Sequence, residues 1–215
     1  MKTPLPRAAG LLVFLLGSAG CLSKPPTGPQ IFSIDPPPLL TNKLASSTYD
    51  VSVDRVEVAP EFAGRQLSYR TGPHSFEKDP YAVLAASPRA LVLQVFRASL
   101  ANADFVRNVV EQGGPQVADL LVEAYVSDLE GDFTVPDKPL AAVGVEVVVL
   151  SVPPLPQPVA PLLRKAYLRQ LPLSEKTASA VANAWNQGLT SIVQEFLQDM
   201  RAVLPPPAAS VPNRR

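Results

Sequence analysis

Three short motifs in this chain have the residue types and order of a covalent acyl-transfer site. Ser75-Phe76-Glu77-Lys78 matches S-x-x-K, Ser127-Asp128-Leu129 approaches S-D-N, and Lys176-Thr177-Ala178 approaches K-T-G. In such a site the serine opens a helix, and a neighbouring base activates its hydroxyl for attack on a carbonyl. The surroundings argue against that chemistry. Ser75 stands between Gly72-Pro73 and Asp79-Pro80, a turn-rich setting, and Lys176 opens a helical pattern where the motif needs a strand. The chain is also short for that fold, so no enzymatic activity and no catalytic residue is expected.

The other reactive groups are sparse. His74 is the sole histidine, which excludes a His-based metal cluster, and beside Pro73 it reads as a turn residue. Asp128, Glu130, Asp132 and Asp137 gather around Gly131 without the closing Glu of a calcium loop, so they read as a solvated hairpin turn. The glycines do not form G-x-x-x-x-G-K, so any ATP would be bound by another chain. No cofactor and no metal is expected.

Cys21 is the one cysteine, and its place in the chain gives it a role. Lys2 and Arg7 precede an uncharged stretch, residues 8–20, with the apolar centre Leu11-Leu12-Val13-Phe14-Leu15-Leu16 and the small residues Gly17, Ser18, Ala19 and Gly20. This is the pattern of a cleaved export signal over residues 1–20. The stretch is shorter than the roughly 20 apolar residues of a membrane-spanning helix. A lone cysteine in an exported chain closes no internal disulfide. Just after Ser18-Ala19-Gly20 it resembles the cysteine of a bacterial lipobox, whose thiol receives a diacylglycerol, although Ser18 stands where Leu is favoured. Two or more acyl chains, at about 0.8 kcal/mol per buried methylene, give stable anchoring. Leu22 rather than Asp follows the cysteine, which by resemblance to the Gram-negative sorting rule points to the periplasmic face of the outer membrane.

Beyond the signal, enough chain remains for one domain with a real core. Basic and acidic residues balance at 19 each, which gives no nucleic-acid footprint. The 25 prolines cluster, and the first cluster (Pro25, Pro26, Pro29, Pro36, Pro37 and Pro38) reads as a semi-rigid tether over residues 21–48. Within it, Ile31-Phe32-Ser33-Ile34 has the alternative of an edge strand. Residues 204–215 read as a disordered Pro-rich tail.

The folded part is expected over residues 49–203. Tyr49-Asp50-Val51-Ser52-Val53 alternates like a strand, and the phase slip to Val56 and Val58 implies a bulge near Asp54-Arg55. Residues 66–70 read as a second strand and 74–76 as a third. Ser87-Pro88 opens a helix to about Asn102. Segments 117–127, 141–150 and 162–171 suggest an antiparallel meander. Ser174 is expected to cap a long helix whose apolar residues, among them Val181, Trp185, Leu189, Ile192 and Phe196, recur at threes and fours until the Leu204-Pro205 stop. The fold class is α+β: a mostly antiparallel sheet backed by two helices, the C-terminal one long.

This order of pieces resembles the ABC-type transport auxiliary lipoprotein family, which includes PqiC- and YmbA-like proteins. The likeness starts at Val51-Ser52-Val53-Asp54-Arg55-Val56-Glu57-Val58-Ala59-Pro60-Glu61-Phe62 and continues through Arg65-Gln66-Leu67-Ser68-Tyr69-Arg70 and Tyr81. It takes in the helix with Leu93 and Leu100 and ends with the terminal helix. Val83-Leu84 stands where members often carry Arg-Trp. The resemblance implies a non-catalytic periplasmic lipoprotein that serves an ABC transporter with MCE-type subunits moving lipids or other hydrophobic molecules. Its partners would be those subunits and a membrane, with room for a homo-oligomer. The alternative is a lipoprotein that carries a lipid or small molecule itself, and a carrier needs an apolar cavity of about 300 Å³ or more.

Overall fold

The computed structural model describes residues 28–35, 48–111, 113–152 and 160–204. Cys21, the expected signal segment 1–20, most of the expected proline-rich tether and the tail beyond Leu204 lie outside the described residues.

Among the described residues the architecture is α+β, with eight strands in one mixed sheet and two helices backing it. Its longest ladders are the expected antiparallel meander: β6 (Leu120–Asp132), β7 (Leu140–Ser151) and β8 (Ala160–Pro172). β6 runs further than its sequence alternation suggests, because the register slips between Val126 and Asp128 and resumes. That slip corrects the reading of Asp128, Glu130 and Asp132 as turn residues. All three lie on the strand, and the hairpin turn is 133–139, which holds Asp137.

β7 pairs along the whole of β6, so the other edge of β6 is free for two strands in succession. β2 (Tyr49–Val58) joins it in parallel from Leu120 to Val126. β3 (Gln66–Gly72) joins it in parallel at Gly131 and Asp132. Between them a 3-10 turn, Pro60–Phe62, buries Phe62. The phase slip in β2 falls between Val53 and Arg55, where the sequence pattern changes step.

β4 (Ser75–Leu84) pairs antiparallel with β3 and is much longer than the short piece at 74–76. β1 (Gln30–Phe32) adds in parallel at its outer edge, and Ile34 just beyond is buried. The run Ile31 to Ile34 therefore takes its edge-strand alternative. β5 (Val106–Val109), parallel to β2, had no counterpart in the sequence reading, since four residues are too few to establish a period.

Helix α1 (Pro88–Asn102) begins as expected, with the Ser87 hydroxyl accepting the Ala90 N–H at 3.3 Å. Helix α2 (Ala178–Val203) is capped by Thr177, whose hydroxyl accepts the Ala180 N–H at 3.2 Å. Ser174 does not cap it. The Leu173 N–H is bound to the Pro139 carbonyl at 2.9 Å, which holds the chain against the start of β7 and delays the helix.

α2 lies over β7 and β8, and α1 lies over β2 and β5. They meet at Phe96 and Phe196, ring centroids 5.4 Å apart, so both back the same face. Trp185, Leu189, Ile192 and Phe196 fill the space between α2 and the sheet.

Candidate functional site

The residues of the acyl-transfer imitation are not brought together. Ser75 and Lys78 lie three apart on a strand, where alternation sends them to opposite faces; on a helix they would share one. The Lys78 ammonium is bound by the Glu61 carbonyl and the Ser68 hydroxyl. Ser127 donates to the Asp128 carboxylate at 2.8 Å, and Lys176 lies over the Phe133 ring at 5.6 Å. His74 is exposed in the β3–β4 turn. Among the described residues no three His, Cys, Asp or Glu side chains converge as metal ligands. No described helix is long and apolar enough to cross a membrane.

The sequence reading missed a buried polar cluster. Glu130 is only 3% exposed, and its carboxylate receives Arg70 Nε at 2.7 Å and Nη2 at 3.0 Å. Burial pushes its pKa up, against the opposing pull of Arg70. Its backbone carbonyl accepts the Trp185 indole N–H at 3.1 Å. Arg70 also stacks over Phe76 at 4.6 Å, and Phe76 meets Phe62 edge-on at 5.7 Å. The sheet is thus pinned to α2 on one face and to the 3-10 turn on the other. The missed signal was the run of alternation past Ser127, hidden by one extra residue.

A second polar cluster joins β8 to α2. Lys165 donates to Glu195 at 2.8 Å and to Asp199 at 2.7 Å, and Arg169 bonds Ser191 at 2.9 Å and also pairs with Glu195. The Tyr167 hydroxyl donates to Asp199 at 2.8 Å. Burial, then that hydrogen bond, pushes the Tyr167 phenol well above its usual range. These groups satisfy one another along the rim of the helix–sheet contact.

Alternation divides the meander into two faces. Val122, Val126, Val145, Val147 and Tyr167 are buried beneath the helices. The opposite face is backed by neither helix, and it carries Leu121, Tyr125, Val148, Leu150 and Leu168 among Glu123, Glu146 and Arg164. Tyr125 is 37% exposed and Leu168 is 52% exposed. This uncovered face is the candidate functional surface.

Two open depressions lie beside the helix starts. One, of about 650 Å³, lies open beside β2 and is lined by Arg55, Glu57, Ser87 and Arg89 with Val56, Val58 and Ala63. Another, of about 400 Å³, opens at the start of α2 among residues such as Glu175, Asn183 and Gln187. Both linings mix polar and apolar side chains, the second adding Leu171, Pro172 and Leu173 to its amides.

No family model matches the sequence, and no curated protein matches it. Solved structures do match in fold. A Xanthomonas campestris protein of the DUF330 family superposes with a TM-score of 0.68 at 17% identity, covering 81% of this chain and 95% of that one. An uncharacterised protein superposes with a TM-score of 0.60 at 11% identity, covering 80% of this chain and 99% of that one. The chain has the fold of these two proteins over nearly their whole lengths.

Proposed function

We propose that the chain is a periplasmic lipoprotein, anchored to the outer membrane through acylated Cys21, that serves as a non-catalytic adaptor of an ABC transport system. Its partner in this reading is an MCE-type subunit that moves lipids or other hydrophobic molecules. The observation that carries the reading is a packed core beneath a sheet face that no helix covers, with Tyr125 and Leu168 exposed on it. The DUF330 fold supports it, as does the order of a basic start, an apolar stretch and a lone cysteine. Tethering then does the work. Holding the body beside the membrane raises the effective concentration of a weakly binding partner. The carrier alternative is favoured less, because these two depressions are open to solvent rather than enclosed.

The test is a photo-crosslinking residue at Leu168, introduced into the full chain in cells. Capture of an MCE-type or ABC subunit supports the adaptor. A purified chain that carries bound lipid and captures neither subunit overturns it in favour of the carrier.

A further inference from the structure

One end of the body gathers elements from four parts of the chain. Gly28 and Gln30, at the entry to β1, share a depression with Asp79, Tyr81 and Ala82 of β4 and with Ala178, the first residue of α2. Asp79 accepts the Tyr69 hydroxyl at 2.8 Å, and Tyr69 stacks on Phe133 at 5.1 Å. Phe133 opens the β6–β7 turn and lies under Lys176. The entry of the chain, the β4 segment around Tyr81, the start of α2 and the β6–β7 turn therefore adjoin.

Three large apolar side chains are exposed at this end: Ile31 at 65%, Tyr81 at 65% and Val135 at 51%. Ile31 pairs with Val83 on β4, two residues from Tyr81. None of the three is drawn into the core, although Ala82 and Leu84 beside them are buried.

The length of chain outside the structure says what covers this end. Residues 22–27 are all that separate Cys21 from Gly28. Seven Cα steps reach about 25 Å at full stretch. α2, with 26 residues, is about 39 Å long and starts at this same end. The tether is thus shorter than the body, and it keeps the entry end within about 25 Å of an anchored Cys21, nearer than the far end of α2. We infer that this end rests on the bilayer, with Ile31, Tyr81 and Val135 seated at the lipid interface, where tyrosine places an apolar ring and a wet hydroxyl. Charges of both signs lie nearby, Lys138 and Lys176 with Asp137 and Glu175, so the contact is apolar in character and insensitive to salt. The inference rests on acylation of Cys21 and shortens the working spacer from residues 21–48 to 22–27.

The experiment uses the acylated full chain on phosphatidylethanolamine–phosphatidylglycerol vesicles. With Cys21 acylated, one introduced cysteine is the only free thiol. Ile31→Cys, Tyr81→Cys and Val203→Cys are each labelled with a polarity-sensitive fluorophore and challenged with lipids brominated in their acyl chains. Quenching of about twofold or more at positions 31 and 81, with none at position 203 on the far end of α2, is the expected result. A vesicle-bound, acylated chain whose labels at 31 and 81 are quenched no more than at 203 overturns the placement and leaves the anchor standing. A mass spectrum with no diacylglycerol on Cys21 overturns both.

Discussion

The Trp185 indole N–H and the Arg70 guanidinium meet the same residue from two sides: Trp185 binds the Glu130 carbonyl at 3.1 Å, and Arg70 grips its carboxylate at 2.7 and 3.0 Å. Glu130 therefore connects α2, through the sheet, to the 3-10 turn beyond. A carboxylate this deeply buried is costly to leave unpaired, and its bidentate partner is what makes the burial tolerable.

Arg70→Ala is accordingly expected to cost about 3 kcal/mol, the low end for breaking a buried pair, because Arg70 itself is partly exposed. Arg70→Met with Glu130→Leu should recover most of that loss, since neither change leaves a charge stranded. Urea unfolding of the single and double variants measures both. A single-variant cost below about 1 kcal/mol would mark the pair as surface-like.

The β8–α2 cluster and Glu130 should pull stability in opposite directions with pH. Lys165 first, then Arg169, hold Glu195 below its ordinary value of 4.5 through hydrogen bonds. The folded chain thus binds that proton less readily than the unfolded one. The contribution is present above pH 4.5 and is lost as the pH falls through the depressed folded value. Glu130 lies above 4.5 through burial, so its contribution favours the fold below 4.5 and is lost as the pH rises through the raised value. Thermal melts between pH 3 and 7 should show a shallower acid-side loss in Glu195→Gln and a steeper one in Glu130→Gln.

Much of the fold was legible because long amphipathic segments declare their period. α1 starts at Ser87-Pro88 and ends at Asn102 as read, and the slip in β2 falls at Val53–Arg55, where the alternation breaks. The failures share a cause: pairing decided by distant chain. β5 exists because β2 offers it an edge. Glu130 is buried because Arg70, sixty residues away, comes alongside. The uncovered face of the meander could be read as alternation, but nothing local said which face the two helices would take.

Gly188 illustrates close packing that propensity alone would call a flaw. A glycine inside a helix costs about 1 kcal/mol relative to Ala. Here a Cβ would lie 3.1 Å from Leu171 Cδ1 and 3.4 Å from both Arg169 Cβ and Val143 Cγ2. Gly188→Leu should therefore destabilise by about 1–3 kcal/mol or more through overpacking against β7 and β8, whereas Gly188→Ala should be near neutral, as gained propensity offsets the tight contact. Chemical denaturation separates the two. A tolerated leucine would mean that α2 stands further from the sheet than described.

The start of α2 gives the sharpest contrast between sequence and fold. Ser174-Glu175-Lys176-Thr177 offers two capping hydroxyls three residues apart, and local chemistry accepts either. The Leu173-to-Pro139 hydrogen bond decides between them: it keeps residue 173 on the β7 side, so the helix starts at Ala178 and the Thr177 hydroxyl takes the third helical N–H, that of Ala180. Thr177→Ala should cost about 1 kcal/mol, with faster amide exchange confined to the first turn of α2. Ser174→Ala, at an exposed position with no capping bond in the structure, should change stability by less than about 0.5 kcal/mol. Equal costs at the two positions, or a larger one at Ser174, would show that the helix begins a turn earlier.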